Sequence, residues 1–384
     1  MKFVGLILRN MTHSLRRTLL TIASIAVALF LFSTLRTVIT AFNAAVEVAD
    51  ETRLIVRRST SLVFPLPLAY RDRIAAVEGV SGVSWANWFG GEYQEPKNFF
   101  AKFAVDVDTY FDLYPELLIP PDQMAAFKAD QTGCLVGSAL AKKYGFKIGD
   151  TIPIVGDIYP YPDGNEWRFV VRGIYEPETP DVDANTLYFN WDYLNQTMGD
   201  RGIVGIYIVK LASASQTAAV CQRLDATFAN SSYETKTETE AAFQASFVGM
   251  MGNIGFLVSV IGAAIVFAIA LVTFNTMMMA ARERTKEIAV MKTLGFTDGA
   301  VLGLIVAEAT LISLIGGVLG IGLATAAYNL TGFNLGGFVP SFMVKPSTVL
   351  LGLALSLAMG ILSGLIPAIQ AARMPIAQAL REAV

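Results

Sequence analysis

A chain of 384 residues has the length of two or three soluble domains at about 150 residues each, but 54% of its residues are hydrophobic and only 16% are charged. With a mean hydropathy of +0.51, that composition excludes an ordinary soluble protein and places the chain among membrane proteins. The net charge of -3 conceals an asymmetry: residues 36–240 carry 18 Lys+Arg against 27 Asp+Glu, a balance of -9, which leaves +6 for the rest. An acidic soluble body is joined to a membrane part with basic flanks.

Residues 1–17 hold Lys2, Arg9, Arg16 and Arg17 and no acid, while Phe3, Ile7, Met11 and Leu15 recur at near-helical spacing. This fits a cytoplasmic amphipathic helix lying on the membrane surface, and equally a plain flanking segment that supplies positive-inside charge. His13, the single histidine, falls on the polar side. The uncharged run over residues 18–35 predicts a first transmembrane helix, within a segment set at 18–42. It is longer than the apolar region of a cleaved signal peptide, about 7–15 residues.

Residues 43–245 are too long for a loop and alternate strand-like with helix-like stretches, which predicts a large α+β extracytoplasmic domain inserted between helices 1 and 2. Strands are expected at 54–57, Val80–Trp88, 99–107 and 202–210, with helices at 68–77 and 215–228. From Pro120 and Pro121 onward, frequent glycine and proline punctuate short β-rich runs. A first subdomain, about 43–120 and 195–245, is thus interrupted by a β-rich one at about 121–194. Its aromatic run of Phe99, Phe100, Phe103, Tyr110, Phe111 and Tyr114 suits a core and would also suit a substrate-contacting surface.

Three further uncharged or nearly uncharged runs predict transmembrane helices at 246–281, 301–330 and 348–372, the first of them with extra turns at its outer end. With the basic N-terminus inside, four spans put the inserted domain outside, residues 282–300 inside, the 331–347 loop outside and the 373–384 helix inside. Small residues recur at fours in the last two helices: Gly316 with Gly320, Ser313 with Gly317, and Gly352, Ser356, Gly360 and Gly364. Such stripes let helices approach closely, within one subunit or across a dimer.

The charged island at 282–300 is the candidate coupling site. Arg282, Glu283, Arg284, Lys286 and Glu287 crowd its start. Ile288, Met291 and Leu294 at threes give an apolar edge, Lys292 lies in the last turn, Gly295 ends the helix, and Asp298 is placed to cap the next one. A bare solvated connector would need neither the length nor the edge. Glu308, about two turns into the third span, is an intramembrane acid suited to a salt bridge that tethers the island, and less well to a proton relay.

Several segments together resemble the MacB-like and FtsX-like ABC transporter permeases, a family that includes the lipoprotein-releasing LolC and LolE type. The stretch RTKEIAVMKTLGFTDGAVLGLIVAEATLISLIGGVLGIGLA from Arg284 resembles the family's coupling segment and third helix. PAIQAARMPIAQALRE from Pro367 is similar to its C-terminal end. VGSALAKKYGFKIGDTIPI from Val136, with FVVRGIYE later, resembles its periplasmic domain. The resemblance implies a permease in the bacterial inner membrane that pairs with a second permease subunit, a copy of itself or a paralogue, and sits on two ABC ATPase subunits. Motion passes by mechanotransmission to the outer domain, which acts on a lipoprotein, a peptide or a drug-like substrate. It also leaves room for a periplasmic adaptor or outer-membrane partner. The chain contains no GxxxxGKS/T phosphate loop, so ATP and Mg are expected on the partner ATPase, with no cofactor bound directly.

Enzymatic chemistry has little to work with: one His, no metal-ligand spacing, no nucleophile elbow, and Asp157, Asp163 and Asn165 without the alternating acids of a calcium loop. No nucleic-acid partner is indicated. Cys134 and Cys221 both fall outside the membrane on this topology, which allows a disulfide. Besides the ATP-driven permease, two functions stay open: a non-transporting regulatory scaffold that activates an extracytoplasmic cell-wall hydrolase, and a secondary transporter using Glu308.

Overall fold

The computed structural model of the chain describes residues 14–250, 252–330 and 342–373. Most of the 1–17 segment, including His13, the first part of the 331–347 loop and nearly all of the 373–384 helix lie outside the described residues.

In chain order the elements are helix α1 (Leu15–Glu47), strands β1 (Arg53–Arg58) and β2 (Leu66–Pro67), helix α2 (Tyr70–Ala75), strands β3 (Val80–Trp88) and β4 (Lys102–Val105), and helix α3 (Tyr110–Leu113). There follow β5 (Leu117–Leu118), α4 (Pro121–Ala129), β6 (Gly133–Gly137), α5 (Ser138–Tyr144), β7 (Thr151–Ile154), β8 (Trp167–Pro177), β9 (Leu187–Asn190) and α6 (Trp191–Thr197). The chain continues through β10 (Ile203–Val204), β11 (Ile206–Leu211), α7 (Thr217–Phe228), β12 (Thr235–Thr239) and α8 (Glu240–Met250), and ends on α9 (Ile254–Glu283), α10 (Thr285–Thr293), α11 (Asp298–Thr325) and α12 (Pro346–Arg373). It divides into two compact units, one of the long helices and one of residues 41–252.

In the helical unit, four helices are long and apolar enough to cross a membrane: Leu15–Ala44, Gly255–Glu283, Asp298–Leu330 and Pro346–Arg373. Helix α11 lies at the centre because its small residues admit two neighbours. A Cβ on Gly320 would stand 2.2 Å from the Ala26 carbonyl oxygen of α1, and one on Gly316 2.8 Å from Ile25 Cβ. On the other side, a Cβ on Gly317 would stand 2.6 Å from Ser356 Cβ, Gly352 faces Ile321, and Gly360 and Gly364 admit Thr310 and Ala309. Ser313 Oγ donates to the Ser356 carbonyl at 2.7 Å. Gly316, Gly317, Gly320, Gly352, Ser356, Gly360 and Gly364 therefore serve packing between helices of one chain. At its far end α11 relaxes into a π-turn, Ala326–Leu330. There Tyr328 shares a hydrogen bond with Thr34 at 2.8 Å, and the Asn329 side chain holds both the N–H and the C=O of Val344.

The other unit is built on one mixed sheet of ten strands in the order β12-β1-β11-β3-β4-β9-β6-β8-β5, with β7 also on β8. Strands of the segments at 43–120, 121–194 and 195–245 share this sheet. The inserted strands β6, β8 and β9 continue the sheet of the first part, joined through parallel pairing of β4 with β9. Apolar residues alternate to two faces. One carries Leu54, Val56, Trp85, Phe89, Trp167 and Phe169, the other Ile55, Tyr110, Phe111, Phe127, Tyr175 and Tyr188. Phe100, Tyr110 and Phe111 are thus core, whereas Phe99, Phe103 and Tyr114 are half-buried. The edge strand β12 is blunted: the Asp225 carboxylate accepts from the Thr237 N–H and from the hydroxyls of Thr235 and Thr237.

One further expectation is revised. The run expected as one helix from residue 246 is divided: α8 stops at Met250, Gly252 takes φ +87°, and the Asn253 side chain caps α9 through the Phe256 N–H. Cys134 and Cys221 are free thiols. Cys134 sits on β6 and Cys221 on α7, which packs against β12, and five strands separate those two positions in the sheet.

Candidate functional site

The charged island folds as a turn, the nine-residue helix α10, and a second turn. Arg284, at φ -96° and ψ 13°, serves as the C-cap of α9 and the N-cap of α10, so the chain bends at one residue. Thr285, Ile288 and Ala289 are buried at i, i+3 and i+4 spacing, the stripe of an amphipathic helix. Ile288 packs with Val301 of α11 and Ala371 of α12, with Met291, Phe296 and Ile305 around them.

Gly295 ends the helix as expected. At φ +94° it donates to the Lys292 carbonyl while Phe296 N–H reaches back to Met291, and Phe296 and Met291 share one apolar cluster. This is a Schellman termination, which needs a left-handed residue at that position. Two assignments change as a consequence. Leu294 leaves the helical face at the cap and is 74% exposed, so it is not part of the apolar edge. The cap of α11 is Thr297, whose side chain accepts from the Ala300 N–H, and Asp298 instead pairs with Lys292 at 2.9 Å.

Charges then fasten α10 to the helices around it. Arg284 Nη1 donates to Glu308 Oε1 at 2.8 Å and to Oε2 at 2.6 Å, both side chains largely buried. Lys292 Nζ donates at 2.5 Å to the carbonyl of Ala372, one of the orphan acceptors in the last turn of α12. Arg17 of α1 pairs with Glu283 at the end of α9. A nine-residue helix is thus tied, directly or through the turn before it, to all four apolar helices.

Of the ten expected site residues, Arg284, Ile288, Met291 and Lys292 turn inward and hold the helix. Arg282, Glu283, Lys286, Glu287, Leu294 and Gly295 are exposed. Val290, 51% exposed, and Thr293 join that outer face; sequence spacing could have found Val290, since it lies on the side opposite Ile288. A shallow recess beside the helix is lined by Met277, Ile288, Met291, Leu304 and Glu308. Among the described residues no group of His, Cys, Asp or Glu is arranged to hold a metal.

Known proteins resemble both parts of the chain. The profile of the FtsX-like permease C-terminal family matches residues 259–376, and that of the MacB-like periplasmic core domain matches residues 18–227. An uncharacterized ABC transporter permease of Methanocaldococcus jannaschii is 23% identical over 333 residues, covering 83% of this chain and 80% of the relative. The lipoprotein-releasing system transmembrane protein LolC of Xylella fastidiosa is 26% identical over 284 residues, 67% of this chain and 66% of that one. The macrolide export ATP-binding/permease protein MacB of Photorhabdus laumondii is 33% identical over 134 residues, but the match spans only 19% of that longer protein. The extracellular domain of the transporter YknZ from Gram-positive bacteria aligns over 49% of this chain and 100% of its own, at 13% identity and a TM-score of 0.35.

Proposed function

Because the chain belongs to the ABC transporter permeases that combine a MacB-like periplasmic core domain with an FtsX-like C-terminal region, we propose that it is the mechanotransmitting subunit of such a transporter. ATP, with Mg, is bound and hydrolysed by a separate ABC ATPase, two copies of which take hold of two permease subunits. Their movement enters through α10 and leaves as movement of the inserted domain, which exports or extracts a lipoprotein, a peptide or a drug-like molecule. The names of LolC and MacB support the lipoprotein and the drug-like molecule among these cargoes. N- and C-termini and α10 face the cytoplasm and the inserted domain lies outside the bacterial inner membrane.

The observation that carries this reading is the fastening of α10. A force applied to its outer face acts at once on α9, on α11 through Arg284 and Glu308, and on the end of α12 through Lys292. Glu308 is engaged through both of its oxygens, which argues against a proton carrier and so against secondary transport. The test is co-expression with candidate ATPases: the complex should co-purify, and Lys286→Glu with Leu294→Asp should abolish it while the permease stays folded. If no ATPase is retained by the unaltered chain, the proposal fails.

A further inference from the structure

A dense cluster of buried charge lies in the inserted domain, where neither family profile nor α10 gives it a role. Arg53, the first residue of β1, is 2% exposed and still makes four hydrogen bonds. Its Nε donates to Glu240 at 2.7 Å, Nη1 to the Leu113 carbonyl at 2.7 Å and to Glu116 at 3.0 Å, and Nη2 to the other oxygen of Glu116 at 2.5 Å. The guanidinium lies over the Tyr114 ring at 4.2 Å. A planar fork that meets two carboxylates, a carbonyl and a ring face is something lysine cannot reproduce.

What these partners belong to gives the cluster its meaning. Glu240 is the first residue of α8 and also accepts the Asp50 N–H at 3.1 Å. The end of the connection from α1 and the start of the connection toward α9 are therefore pinned on one carboxylate. Glu116 immediately precedes β5, the last strand of the sheet, and its carbonyl accepts from the Glu178 N–H next to β8. Seven strand steps at about 4.8 Å each separate β1 from β5 in the sheet order. One arginine side chain spans only a fraction of that. Since β5 pairs only with the last two residues of β8, the segment from Leu113 to Glu116 that leads into it reaches back to Arg53 on β1.

We propose that Arg53 is a clamp that holds the segment before β5 against β1 and fixes the two membrane-linked connections to each other, so that the domain turns as one body when either connection moves. Coupled turning rests on the function proposed above; the clamp itself does not. Burial raises the Glu240 carboxyl, and Arg53 offsets this only in part, so the arginine is the element that keeps this glutamate useful as a buried anchor.

Spin labels at exposed positions test it in the full-length chain carrying Cys221→Ser. One pair, Glu51→Cys with Thr179→Cys, reads the distance from the root of β1 to the far edge. A second, Glu51→Cys with Ala242→Cys, reads the distance between the two connections. Both should give single narrow distributions in nucleotide-free protein, and Arg53→Met should widen both about twofold, as local opening does. Glu116→Gln, which spares Glu240, should widen only the first pair. Narrow distributions in Arg53→Met would overturn the clamp, as would widening of both pairs by Glu116→Gln. Failure of the chain to bind any ATPase would instead sink the proposed function and leave the nucleotide-free widths as they are.

Discussion

Arg284 and Glu308 stand 24 positions apart, yet one guanidinium nitrogen lies within 2.8 Å of both carboxylate oxygens. The pair joins the hinge before α10 to the body of α11. Removing one partner of a buried pair leaves the other charge stranded, at about 3–5 kcal/mol. Glu308→Ala and Arg284→Met should each lower the unfolding midpoint in detergent, while the double variant Arg284→Met with Glu308→Leu should recover most of the loss. Additive losses in the double-mutant cycle would show that the pair carries no coupling.

The helix stripe makes a prediction with an internal control. Gly320→Ala drives a methyl group into the Ala26 carbonyl, whereas a Cβ at Gly322 meets nothing within 4 Å. The first change should destabilise by about 1–3 kcal/mol through overpacking. The second should be neutral or stabilise by up to about 1 kcal/mol, since alanine is the better helix former. Thermal unfolding of the two purified variants side by side decides it.

Two glutamates in neighbouring positions should respond oppositely to acid. Burial raises Glu238, but Arg57 and Lys236 outweigh it and hold the carboxyl below its ordinary value. A depressed acid stabilises the fold above its unfolded value and loses that contribution as pH falls through the folded one, so the deficit of Glu238→Gln should be full at pH 7 and shrink toward pH 3. Glu240 is shifted up, by burial that Arg53 only partly offsets. Its carboxyl favours the fold most at low pH and loses that advantage as pH rises, so the effect of Glu240→Gln should vary with pH in the reverse sense. Denaturant unfolding across that range measures both.

Leu294 offers the complementary case of a residue whose loss should leave the fold alone. At 74% exposure, Leu294→Ala should change stability by no more than about 0.5 kcal/mol and should weaken retention of the partner ATPase. Lys292→Met should act the other way round, lowering stability by freeing the Ala372 carbonyl and Asp298 that it now holds. Comparing pull-down yield with unfolding midpoint for the pair separates outer face from anchor.

The legibility of these features in the sequence follows their range. The four apolar helices, the strand Val80–Trp88, Ile288 and the terminating Gly295 depend on local pattern and were readable from it. Leu294 fitted the same three-residue spacing but lies one position past the helix, where spacing no longer dictates direction. Thr297 and Asp298 are both good capping types, and only the pairing of Asp298 with Lys292 separates them. The single sheet was hidden because β4 meets β9 across more than eighty intervening residues. Nothing local singles out Arg53 for a similar reason, since its partners Glu240 and Glu116 come from distant segments.

One asymmetry among the helices has a consequence for the lipid. Only 11% of the most apolar window of Gly255–Glu283 is covered by its own chain, against 44%, 50% and 33% for the other three helices. At 1.5 Å per residue its 29 residues extend roughly 43 Å, well beyond a hydrocarbon core of about 30 Å. Such a helix meets the mismatch by tilting, and it carries α10 on its end. Vesicles of shorter or longer acyl chains should therefore change the tilt of this helix more than that of the better-covered Asp298–Leu330.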